Sequence, residues 1–89
     1  MDFETSRQFD KLVFRTRDKV IKSRLKSIIE KVAEAQSIDE IPNITQIVGH
    51  PGFYRIRVGD YRIGISLEED TIWFLYFGKR DESTYKKFP

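Results

Sequence analysis

Arg55, Arg57, Arg62 and Arg80 are the residues of this chain whose type and spacing could do chemistry. In Phe53-Tyr54-Arg55-Ile56-Arg57-Val58 apolar and basic residues alternate, so as a strand this segment puts Tyr54, Ile56 and Val58 on one face and Phe53, Arg55 and Arg57 on the other. Gly59-Asp60 has the form of a two-residue hairpin turn, with glycine where positive φ is required. In normal register the returning segment brings Arg62 onto the face of Arg55 and Arg57. Arg80 follows the last apolar run, in phase with Phe74 and Tyr76, so that aromatic rings and Lys79 are expected beside the charges. Any one of these arginines alone reads as an ordinary solvated side chain. Several on one face repel one another unless something anionic joins them. Guanidinium forks suit phosphate oxygens and flat rings suit bases, so the cluster points to phosphate binding with base stacking: Arg55, Arg57, Arg62 and Arg80 on phosphate, Lys79, Phe53 and Tyr76 on the strand around it.

The remaining candidates weigh less. His50, the single histidine, sits in a His50-Pro51-Gly52 turn and has no second histidine to build a metal site, so neither a general base nor a metal centre is expected. Glu68-Glu69-Asp70 reads as a solvated hairpin tip. Arg15, Arg17, Lys19, Lys22, Arg24 and Lys26 form a basic helix face that suits solvent better than ribosomal RNA. Trp73, Leu75 and Phe77 share the parity opposite to Arg80 and are expected in the core. No glycine-rich phosphate loop, nucleophile elbow or paired carboxylates occur.

The elements that must position the cluster can be read from periodicity. Val20 or Ile21, Leu25, Ile28, Ile29 and Val32 recur at spacings of three and four, which predicts a helix from about Asp18 to Gln36. Phe9, Leu12 and Val13 mark a shorter helix before it, with Thr16 or Asp18 as candidate N-cap between the two. Pro42 ends the helical half. Strands are expected near Ile44 to Val48, over Phe53 to Val58, over Tyr61 to Leu67, and over Thr71 to Gly78, the last apolar on both faces as a central strand should be. Met1 to Glu4 is too short to assign. The fold class is therefore α+β: an N-terminal antiparallel helical hairpin packed on a mostly antiparallel, twisted sheet of four to five strands.

With 89 residues, 39% hydrophobic and 34% charged, the chain is expected to form one small domain spanning residues 1–89, with no linker or repeat. The net charge of +2 is too mild to identify a nucleic-acid binder, so the placement of charge has to carry that inference. The absence of cysteine removes disulfides and thiolate chemistry and suits a reducing compartment. The longest apolar run is too short to span a bilayer and the start lacks the pattern of a signal peptide. A complete cytoplasmic protein without membrane contact is expected.

The order Phe53-Tyr54-Arg55-Ile56-Arg57-Val58-Gly59-Asp60-Tyr61-Arg62-Ile63, then Phe77-Gly78-Lys79-Arg80-Asp81-Glu82 and Tyr85, resembles the RelE/ParE toxin superfamily of toxin–antitoxin systems, and the likeness extends over nearly the whole chain. The resemblance implies a helical hairpin on a twisted sheet whose other face is a basic groove. It further implies a ribosome-dependent mRNA endonuclease, restrained by a cognate antitoxin, that cuts without metal or cofactor by attack of the ribose 2′-hydroxyl on the adjacent phosphate. Carried over by position, Arg55 and Arg57 match the paired basic residues at the scissile site and Arg62 the arginine that stabilises the phosphorane. Arg80 matches the arginine that assists the leaving oxygen, and Tyr85 the terminal tyrosine that stacks on or orients the substrate. The chain departs from the better-known nucleases of the family, which have lysines at the positions of Arg55 and Arg57. A guanidinium is a poor proton acceptor at neutral pH, which leaves Tyr85 as the other nearby acceptor. Cleavage by charge stabilisation, RNA binding without cleavage, gyrase inhibition of the ParE type, and a noncatalytic antitoxin-binding autoregulator all remain open on the sequence.

Overall fold

The computed structural model describes residues 1–80 and Phe88 and shows two helices packed on a five-stranded sheet. In chain order the elements are β1 (Asp2–Thr5), α1 (Arg7–Arg15), α2 (Lys19–Glu34), a single 3-10 turn (Ile38–Glu40), β2 (Ile44–Gln46), β3 (Phe53–Val58), β4 (Tyr61–Glu68) and β5 (Thr71–Lys79). The sheet runs β1-β5-β4-β3-β2. Every pairing is antiparallel except β1 with β5, so the short segment left unassigned by sequence is a parallel edge strand.

Each helix starts where a side chain can satisfy the unpaired N–H groups of its first turn. The Ser6 hydroxyl accepts from the Phe9 amide at 3.1 Å, and the Asp18 carboxylate accepts from the Ile21 amide at 3.1 Å. Asp18 is thus the N-cap of α2, whereas Thr16 closes α1 and donates its hydroxyl to the Leu12 carbonyl at 2.9 Å. The stripe on α2 is Ile21, Leu25, Ile28 and Val32, all buried, while Val20 is exposed. These side chains meet Ile56, Val58, Ile63, Ile65, Ile72, Phe74 and Phe77 of the sheet in one core. Phe9 of α1 completes it, with its ring centroid 5.3 Å from Phe74 and 6.3 Å from Phe77.

Strand β5 corrects the parity expected from the sequence. Phe74 and Phe77 are both in the core although they are three residues apart. The register explains why: Gly64 pairs with Tyr76 and the next residue, Ile65, pairs with Phe74, which leaves Leu75 as the extra residue of a β-bulge. Phe74 is therefore fully buried and not on the arginine face, while Trp73 and Leu75 are only half-buried. Only Phe77 of the expected Trp73, Leu75 and Phe77 set is a core residue. The bulge is tied to the start of α1, because the Ser6 amide donates to the Phe74 carbonyl at 2.9 Å and its hydroxyl to the Leu75 carbonyl at 3.4 Å.

Among the described residues no helix is long and apolar enough to cross a membrane, and no group of three or more His, Cys, Asp or Glu is placed to hold a metal ion. The bulge makes a measurable distinction between neighbours in β5. Phe74→Ala should cost about 3–5 kcal/mol of unfolding free energy, as for a buried phenylalanine, and Trp73→Ala clearly less. Urea denaturation of both variants checks the order, which a continuous alternation would reverse.

Candidate functional site

On the sheet face opposite the core, the cross-strand pairs form a small grid. Arg57, Arg62 and Gly78 lie side by side on β3, β4 and β5; Arg55, Gly64 and Tyr76 form the next row; Phe53, Ser66 and Trp73 form the third. Thr45 of β2 flanks Arg55. The expected register therefore holds: the Gly59-Asp60 turn joins Val58 directly to Tyr61, with Gly59 at φ 58°, and places Arg57 opposite Arg62.

Two backbone hydrogen bonds extend the grid beyond regular pairing. The Arg80 amide donates to the Asp60 carbonyl at 3.0 Å, which brings the residue after β5 to the tip of the β3–β4 hairpin. The Arg57 amide donates to the Asn43 carbonyl at 3.1 Å, which brings Asn43 alongside Arg57. Asn43 is left-handed, at φ 59°, a conformation asparagine tolerates better than most residues. The result is a hollow of about 580 Å³ lined by Asn43, Ile44, Thr45, Arg55, Arg57, Arg62 and Arg80. None of the described lining residues is acidic.

The Arg62 side chain is fixed by the turn it follows. Its Nη1 donates to the Gly59 carbonyl at 3.1 Å and to the Tyr61 carbonyl at 2.9 Å. Backbone carbonyls are neutral, so these bonds orient the guanidinium without cancelling its charge. A positively charged donor already held in place can stabilise an anion with little reorganisation. Arg55 and Arg62 are half-buried, while Arg57 and Arg80 are exposed, so the hollow grades from sheet floor to solvent.

The other residues singled out by sequence divide. Phe53 is on the arginine face but beyond the hollow, edge-to-face with His50 at 6.4 Å and with Phe88 at 6.1 Å. Tyr76 is on that face too, yet it is only 3% exposed, with the Phe88 ring nearly parallel to it at 6.1 Å. Lys79 pairs with Tyr61, whose ring stacks on core Phe77 at 5.1 Å, so alternation puts it on the helix side and away from the hollow. Tyr85 lies outside the described residues, as do Asp81 and Glu82. No local pattern in the sequence marks Asn43 and Thr45, since only the pairing of β2 with β3 brings them in. A second, smaller hollow of about 230 Å³ shares Asn43 and Arg57 and runs to Arg24 and Lys31 of α2, so part of the basic helix face continues the cationic surface.

This fold has counterparts of known kind. Residues 4–84 match the family model described as the ParE toxin of the type II toxin–antitoxin system parDE. Toxin RelE3 of Methanocaldococcus jannaschii is 43% identical over 70 residues, which is 78% of either chain. The crystal structure of a RelB–RelE antitoxin–toxin complex from Methanococcus jannaschii superposes with a TM-score of 0.81 and 36% identity, covering all of both chains. In fold alone, the archaeal RelE–RelB complex from Pyrococcus horikoshii OT3 also matches, with a TM-score of 0.72 at 20% identity over 92% of this chain and 97% of the other. The chain belongs to the RelE/ParE superfamily and is a type II toxin of the RelE family.

Arg57 and Arg62 face each other as like charges, an arrangement that costs a sheet a few tenths to about 1 kcal/mol. Arg57→Glu should therefore raise the urea midpoint while weakening retention on a heparin column. A variant that lost stability as well as anion affinity would show that the charges are already compensated within the chain.

Proposed function

We propose that this toxin is a ribosome-dependent endonuclease that cuts mRNA without a metal ion. The observation that carries the reading is the convergence of four guanidinium groups, from β3, β4 and the end of β5, on one hollow with no acidic residue among its described lining. A phosphodiester at which extra negative charge develops is the ligand such a site favours most. In the reaction, the 2′-oxygen forms a bond to the adjacent phosphorus, the bond from phosphorus to the 5′-oxygen breaks, and a 2′,3′-cyclic phosphate and a 5′-hydroxyl result. Arg55 and Arg57 hold the scissile phosphate. Arg62, oriented by the Gly59 and Tyr61 carbonyls, stabilises the phosphorane, and Arg80 assists the departing oxygen, which takes its proton from solvent.

Arginine gives charge and hydrogen bonds but accepts no proton at neutral pH, so the 2′-hydroxyl proton passes to Tyr85 in its phenolate form or to solvent. Tyr85→Phe separates these routes, because loss of cleavage with retained RNA binding assigns the proton to Tyr85. The relatives from M. jannaschii and P. horikoshii occur with RelB antitoxins. By analogy, a cognate antitoxin restrains this chain, and an acidic segment lying over the cationic face suits it electrostatically.

The ParE name of the matched family model favours one other reading, in which the scaffold inhibits DNA gyrase. Induced expression separates the two. The nuclease reading predicts translation arrest with mRNAs cut within codons, mapped by primer extension, and relief of toxicity by Arg62→Ala or Arg80→Ala in proteins that remain folded. Intact messages during growth arrest, together with DNA breaks and an SOS response, would contradict it.

A further inference from the structure

The centre of the arginine face is occupied by an aromatic ring that the catalytic reading does not use. Phe88 lies over Gly64 of β4, so close that a side-chain carbon built on Gly64 would come within 2.6 Å of three ring carbons. Any residue larger than glycine at position 64 would have to push the ring away. Tyr76 runs nearly parallel to Phe88 at 18°, and Phe53 meets it edge-on at 67°, both with centroids 6.1 Å away. Tyr76 itself lies back over Gly78, the second place where this face lacks a Cβ. A patch of sheet has thus been cleared of side chains and fitted with rings, and one flat ring fills it.

Its position relative to the cationic hollow gives the patch a ligand. Gly64 is paired with Arg55 and lies two residues along β4 from Arg62, which is about 7 Å in a strand. That is the scale of one nucleotide from its phosphate to its base. Resting on the reading that the hollow holds RNA phosphate, we propose that the space over Gly64 is a nucleobase site of the bound single strand, and that Phe88 occupies it until a base displaces the ring. Base stacking on aromatic side chains tolerates any base, so the site adds affinity and register more than sequence choice. Phe88 makes the empty site cheaper to maintain, because the rings of Phe53 and Tyr76 keep an apolar neighbour.

Binding of two fluorescent oligoribonucleotides of equal charge to the full chain tests this, one with bases and one abasic, both blocked at the 2′ position so that neither is cut. Removing the competitor with Phe88→Ala should tighten the base-bearing oligomer by about fivefold or more and leave the abasic one unchanged. Filling the floor with Gly64→Val in the Phe88→Ala background should abolish that gain. Unchanged or weakened affinity of Phe88→Ala for the base-bearing oligomer, or equal tightening of both, would overturn the base site while the abasic oligomer still reports the phosphate hollow. Failure of the unaltered chain to bind either oligomer would overturn the phosphate reading and the base site with it. A stability cycle checks the seating of the ring independently: Gly64→Ala should lower the melting temperature of the unaltered chain but not that of Phe88→Ala, and equal effects in both would overturn the proposal.

Discussion

Everything particular to this molecule depends on holding like charges together against their repulsion. Arg57 and Arg62 sit directly across from each other, Arg55 lies in the next row, and Arg80 is drawn to the hairpin tip by a backbone hydrogen bond to Asp60. The repulsion between facing like charges works against the fold. It is imposed by a two-residue turn that admits one register, and it is offset by the apolar core on the opposite side of the same strands. Ile56 and Ile63, fully buried behind the arginine pair, are the counterweight: the register that buries them is the one that opposes the charges. Core packing and charge clustering are thus set against each other across the thickness of one sheet.

The bulge at Leu75 lets one strand serve both sides. Before it, β5 gives Ile72 and Phe74 to the core; after it, Phe77 is the core residue and Tyr76, Gly78 and Arg80 belong to the cationic face. A strictly alternating β5 that kept Phe74 inside would have turned Tyr76, Gly78 and Arg80 inward as well. Ser6 couples this device to the helical layer, because the same residue caps α1 and binds the carbonyls of Phe74 and Leu75.

Much of this was legible in the sequence because it follows local rules. The spacing of Ile21, Leu25, Ile28 and Val32 gives α2, and Arg-x-Arg followed by Gly-Asp and Tyr-Arg gives the register of the hairpin and the face its arginines share. What escaped depends on contacts between distant segments. The bulge arises from the fit of β5 to both β4 and α1, so alternation alone misplaces Phe74, Trp73 and Leu75. Proximity to Arg80 suggests Lys79 for the site, but adjacent residues in an extended segment face opposite ways. Asn43 and Thr45 belong to a three-residue strand with little periodicity to read, and β1 is visible only once β5 is there to pair with it. The contact of Phe88 with Gly64 spans a separation that no local pattern encodes.

The central claim is that the convergent guanidinium groups grip phosphates of a single strand, and the salt dependence of binding tests it most directly. For an uncleavable oligoribonucleotide, the logarithm of affinity should fall linearly with the logarithm of salt concentration, with a slope of about −2 to −3 if three or four phosphates are neutralised. Replacing Arg62 or Arg80 with glutamine should make the slope shallower by about 0.7 each. A slope near zero, or one that neither substitution changes, would contradict the account.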